Sequence, residues 1–161
     1  MSCASGVGVA AYLATQPSMS IWRGHGVAVR TAVDSSVLLD VIVNDSSFAD
    51  RSEVALRRVA SEGSLIVCEC VVAEIRPALP ASQIDDFISG WNLEFVPSTR
   101  ASALLASEMF QTYLERRRSS RARVVADFLI AAHANCTADR LLARDRGYYR
   151  DYFKGLRLME P

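Results

Sequence analysis

The stretch VAVRTAVDSSVLLDVIV, residues 27–43, changes its period at an aspartate. Its first half, VAVRTAV, is rich in β-branched residues and reads as a strand ending at Asp34. Its second half, SSVLLDVIV, opens on serines suited to an N-cap and continues with apolar residues at helical spacing. A strand that passes directly into a helix is the opening of a parallel α/β unit, and the rest of the chain repeats that alternation.

Downstream, SEVALRRVASEG reads as a helix, with Ser52 as cap and Gly63 as stop, before the short buried strand SLIVC. ECVVAEI is a helix up to Pro77, PASQIDDFISGW is helical, and LEFVP is a short strand. TRASALLASEMFQTYLERRR forms a long amphipathic helix with Thr99 as its cap, followed by the basic break SSRAR. RVVADFLIAAHA is a helix apolar on nearly every face, RLLAR a strand, DRGYYRDYF a turn and short helix, and LRLMEP a last strand. Strands separated by helices predict a parallel α/β sheet with helices on both faces, a three-layer arrangement.

The 161 residues suffice for one full core, and residues 27–161 are read as that one domain. Residues 1–26 differ in containing no acid and a single arginine, and their first cation follows the apolar stretch, unlike a secretory signal. They are expected to be a disordered, dispensable extension, with translation starting as late as Met19 or near Val27. No apolar run approaches the roughly 18 residues of a membrane span, so a soluble protein is expected. Formal net charge is zero, so a polyanionic partner must be held by a local patch. Of the 18 cationic residues only Lys154 is a lysine, and the basic run ERRRSSRAR supplies such a patch.

Cys3, Cys68, Cys70 and Cys136 form no C-x-x-C pair, and only His25 and His133 could join them, which argues against zinc. Cys68 and Cys70 lie in the apolar run SLIVCECVV and read as core thiols, in keeping with a reducing, cytoplasmic setting. Neither G-x-G-x-x-G nor G-x-x-x-x-G-K-[ST] occurs, which removes the main support for dinucleotide and P-loop readings.

Ligands of open parallel sheets bind beyond the carboxyl ends of the strands. Asp34 closes the first strand, Asp145 closes RLLAR, and Glu74 lies on a helix that leaves a strand. Asp127 starts a helix joined to the next strand by the short loop NCTAD, so helix and strand run antiparallel and that start also reaches the carboxyl edge. Taken singly, each acid has a simpler use: Asp34 as a helix cap, Asp145 in a turn, Glu74 and Asp127 as dipole complements. Together, four carboxylates at one edge require a cation between them, and Mg2+ or Mn2+ suits oxygen donors. His133 lies six residues after Asp127, about 240° around the helix, and is expected to pack rather than act. Asp40, Asp139 and Asp151 are expected to be solvated or capping groups, Asp139 nearest the site.

AVDSSVLLD, VVAEI, RVVADFLIAAHA and LLARDRGYYRDYFKGLRLMEP, in this order and spacing, resemble the PIN-domain ribonucleases, in particular the VapC toxins of bacterial toxin–antitoxin modules. The resemblance covers about residues 29–161; Cys68 stands where that family commonly has proline, and residues 1–26 have no counterpart. It implies a PIN domain, Rossmann-like with a sheet of four or five mainly parallel strands, and an Mg2+- or Mn2+-dependent endoribonuclease that hydrolyses phosphodiester bonds of single-stranded RNA. It also implies a homodimer and a cognate VapB-type antitoxin. The family's four acids fall on Asp34, Glu74, Asp127 and Asp145. Ser36 matches a small polar position near the metal, and Arg117, Arg118, Arg121 and Arg146 are expected to hold RNA. Two other readings stay open: a receiver-like phosphoacceptor, whose usual lysine is not matched by Lys154, and a catalytically idle PIN fold that only binds.

Overall fold

The computed structural model describes residues 28–116, 125–144 and 147–161. Its order is β1 (Val29–Val33), α1 (Ser35–Ile42), α2 (Ala49–Glu62), β2 (Gly63–Val67), α3 (Glu69–Ile75), α4 (Ile84–Gly90), β3 (Leu93–Phe95) and α5 (Arg100–Arg116), then α6 (Val125–Thr137), β4 (Arg140–Leu142), α7 (Tyr148–Tyr152) and β5 (Leu158–Met159). The five strands form one all-parallel sheet in the order β3-β2-β1-β4-β5. With its seven helices among the described residues, this is the three-layer α/β architecture that the alternation predicts.

The centre of the sheet is buried on both faces, which is why TAV of β1, LIV of β2 and LL of β4 are runs rather than alternations. Val33, Ile66, Leu141 and Leu142 are essentially inaccessible, as are Leu38 and Leu56 of the covering helices. Each such side chain contributes roughly 1.5–3 kcal/mol by leaving water. Helix α6 packs on α5, α3, α7, β1 and β4, and so needs apolar residues nearly all round. The edge strands β3 and β5 have only three and two residues, short edges being the usual protection against pairing with another chain.

Several local expectations hold and two change. Thr99 does cap α5: its Oγ1 accepts from the Ser102 N–H at 3.1 Å, while the Thr99 N–H donates to Ser102 Oγ at 2.9 Å. Ser52 is not a cap, because α2 begins three residues earlier at Ala49 and buries Ser52 completely. Gly63 ends α2 but also starts β2, opposite Val29, where a Cβ would come within 2.0 Å of the Val29 carbonyl oxygen. Only glycine fits that approach. The expected extension, residues 1–26, lies outside the described residues.

Candidate functional site

Asp34 leaves β1 with its N–H still in the sheet, donating to the Leu142 carbonyl of β4 at 2.9 Å. It is the N-cap of α1 and accepts from the Ser36 N–H at 3.2 Å through Oδ2. The simple capping role therefore exists, and it uses one oxygen. Ser36 Oγ also donates to Oδ2, and the buried Tyr149 hydroxyl donates to Oδ1 at 3.0 Å. The next serine turns the other way: Ser35 Oγ donates to Glu74 Oε2 at 2.5 Å, joining the first turn of α1 to α3. Asp34 is only 4% exposed, whereas Glu74 is exposed, so the pair has one buried and one open member.

Asp127 lies in the first turn of α6 and is part-buried. Its relation to the others is seen at Tyr149. Burial raises the Tyr149 hydroxyl well above the ordinary phenol range, and the charges of Asp34, Asp127 and Glu74 raise it further. Three of the four predicted acids thus act on one hydroxyl. Asp145, the fourth, and the predicted RNA contacts Arg117, Arg118, Arg121 and Arg146 lie outside the described residues. Among the described residues, no three of histidine, cysteine, aspartate and glutamate stand close enough to hold a metal ion by themselves. Cys70 is no competing ligand, since burial, with Cys68, Glu69 and Glu74 adding to it, pushes its thiol up to about 11.

Behind the acids is a pair that the sequence reading misplaces. Asp40 is neither solvated nor a cap: it is buried, accepts from Ser52 Oγ at 2.6 Å and pairs with Arg144 Nη2 at 3.0 Å. The Arg144 guanidinium lies 4.5 Å from the centre of the Phe48 ring, and its backbone N–H donates to Ser36 Oγ at 3.3 Å. The chain leaving β4 is thus fastened to α1 and to the turn before α2. Asp139 is also moved, to the opposite end of the sheet, where it accepts from the Arg30 N–H at 2.7 Å. His133 behaves as expected: it is buried, hydrogen-bonded to the Val96 backbone, and burial lowers its proton affinity. Tyr149, Ser35 and Arg144 carry no mark in the sequence that singles them out. Their partners are 115, 39 and 104 residues away, a distance that no local pattern reports.

By sequence, the chain matches no protein-family model and no curated protein. Solved structures do match. VapBC2 from Rickettsia felis, bound to a DNA fragment from its promoter, aligns over 82% of this chain and 98% of that chain, with TM-score 0.61 and 19% identity. VapBC-1 from nontypeable Haemophilus influenzae aligns over 81% and 97%, with TM-score 0.58 and 15% identity. FitAcB from Neisseria gonorrhoeae aligns over 80% and 96%, with TM-score 0.57 and 15% identity. This chain has the PIN-domain fold of VapC toxins. In that fold, Asp34, Glu74 and Asp127 lie towards the carboxyl edge, the place at which open parallel sheets receive ligands.

Proposed function

We propose that this protein is a metal-dependent endoribonuclease that acts as the toxin of a toxin–antitoxin pair. The observation that carries the reading is the edge where the Tyr149 hydroxyl donates to Asp34 and the neighbouring Ser35 donates to Glu74, with the charges of Glu74 and Asp127 also acting on that tyrosine, in a fold shared with VapBC and FitAcB complexes. The donors fit a hard divalent cation. They are carboxylate and hydroxyl oxygens, and Asp34 and Glu74 meet hydroxyls, with no arginine or lysine paired to either among the described residues. Asp34, Glu74, Asp127 and Asp145 would hold Mg2+ or Mn2+, Asp145 following directly on the fastened Arg144. When bound, the cation would supply charge neutralisation at the scissile phosphate and an acidified water.

The chain's own residues do the rest. Ser36 would orient the Asp34 carboxylate at the end of β1, and Glu74, the exposed acid, would bind the cation or orient the water. Arg117, Arg118, Arg121 and Arg146 bind the phosphates of single-stranded RNA on either side of the scissile one. The cognate antitoxin, of VapB type, inserts an arginine or lysine among the carboxylates, where it hydrogen-bonds them and replaces the metal's charge. The protein works as a homodimer in the cytoplasm; among the described residues no helix is long and apolar enough to cross a membrane.

Purified protein with and without Mn2+, assayed on total cellular RNA and a defined transfer RNA panel, tests the activity. Metal-dependent internal cleavage is expected. The alternative, a catalytically idle PIN fold that only binds, is separated from it by the same assay. RNA retained but uncut at any Mn2+ concentration would establish that second reading instead. Co-expression with the neighbouring reading frame tests the partner, whose complex should neither bind Mn2+ nor cut.

A further inference from the structure

We propose that Tyr149 is a positioning residue for Asp34, holding the plane of that carboxylate for the incoming cation. The inference rests on the reading of this edge as a divalent-metal site. Rotation of an aspartate carboxyl about its last bond is soft, so its plane is set by its hydrogen-bond partners rather than by its rotamer. Asp34 has such partners on both oxygens and from two distant parts of the chain. Ser36 holds Oδ2 from the first turn of α1, and Tyr149 holds Oδ1 from α7 at 3.0 Å. The two hydroxyls and the Ser36 N–H use three of about four lone-pair sites, which leaves one for a metal on the same carboxylate.

Packing alone does not require this hydroxyl. Tyr149 is 3% exposed, and phenylalanine would fill the same space. The ring's placement is itself fixed by its neighbours. Tyr148 and Tyr152, on either side of it in α7, lie 6.5 and 5.3 Å from the ring of Phe128, and Phe153 lies at 6.0 Å. Phe128 follows Asp127 in α6. The aromatic cluster therefore ties the helix carrying one acid to the helix whose tyrosine orients another, and Tyr149 sets Asp34 relative to Asp127.

The test is titration with Mn2+, followed through the paramagnetic resonance signal of the free ion, on wild type, Tyr149→Phe, Tyr148→Phe and Asp34→Asn. Loss of a partner that orients a metal ligand weakens binding by about 10- to 100-fold, and that rise in dissociation constant is expected for Tyr149→Phe. It should remain folded without metal, Tyr148→Phe should bind as wild type does, and RNA cleavage by Tyr149→Phe should recover at high Mn2+. A wild-type Mn2+ affinity in Tyr149→Phe, with binding lost in Asp34→Asn, would overturn the proposal and leave the metal site standing. Wild-type affinity in Asp34→Asn would overturn the metal site and the proposal with it.

Discussion

The two ends of the one sheet treat charge in opposite ways. At the amino ends of the strands, the buried charge meets a complement. Arg140 is buried against Glu62 at 2.6 Å and Thr31 Oγ1 at 2.8 Å. At the carboxyl ends, Asp34 and Glu74 meet only hydroxyls and one backbone N–H among the described residues, with Asp127 close enough to act on the same tyrosine. A neutral hydroxyl satisfies a lone pair but cancels no charge, so the first arrangement pairs its charge within the fold and the second leaves like charges that, on the proposed reading, a cation would relieve. Aspartate and glutamate serve both ends, and the partners decide which use they have.

The largest expected effect comes from removing charge at the carboxyl end. Asp34→Asn keeps volume and abolishes the carboxylate; with several kcal/mol of transition-state stabilisation at stake, cleavage should fall more than about a thousandfold. The fold should be retained, or be slightly more stable without metal, because repulsion is relieved. Asp127→Asn and Asp145→Asn should behave likewise, and Mn2+ should raise the melting temperature of wild type more than that of any of the three. A metal-induced shift undiminished in all three would dissolve the contrast between the two ends. If Asp127 only complemented the dipole of α6, its replacement would cost stability, at most about 1 kcal/mol, and spare the rate.

Arg144→Leu should cost stability instead, about 3–5 kcal/mol, because it leaves the carboxylate of Asp40, 2% exposed, with Ser52 alone. Urea unfolding measures this, and Asp40→Leu combined with Arg144→Leu should regain most of the loss. A double variant as unstable as the single one would mean that the arginine matters through its stacking on Phe48 and not through its charge.

How far the sequence reaches is clearest at these residues. The strand-to-helix switch at Asp34, the apolar runs and the all-round apolar α6 follow from local period, and they place three acids towards the carboxyl end of the sheet. Whether Asp40 faces solvent or Arg144 is decided by how α1 lies on α2, a packing relation between segments with no shared local signal. The same holds for the three tyrosines of GYYRDY, where only the turn through Gly147, at φ +92°, settles which one faces Asp34. Asp139 differs from its expected place for a simpler reason. It precedes β4 and so marks the amino end, whereas Asp145 follows that strand.

A smaller effect is expected from the basic run. Replacing Arg117, Arg118 and Arg121 with glutamine should lower RNA affinity and reduce the slope of log affinity against log salt by about 2, since each single-strand phosphate that an arginine neutralises adds about 0.7 to that slope. Filter binding over a salt series measures it. An unchanged slope would assign these arginines to the solvated surface and leave RNA to be held elsewhere.

The smallest effect belongs to the paired end and has the opposite dependence on protons. The Arg140 guanidinium, by hydrogen bond and charge, holds the Glu62 carboxyl below the usual carboxylate range. A carboxyl whose affinity for protons falls on folding stabilises the folded state above its unfolded value, 4.5, and loses that contribution as pH falls through its folded value. About a third of the Glu62 side chain is exposed, so water screens the pair and Glu62→Gln should cost no more than about 1 kcal/mol at pH 7. Urea unfolding of both proteins from pH 7 downward should show the two stabilities converging as the acid side of 4.5 is entered. A difference that persisted undiminished there would mean that Glu62 holds Arg140 by shape and hydrogen bonding rather than by charge, and the paired end would then differ from the acid end in packing alone.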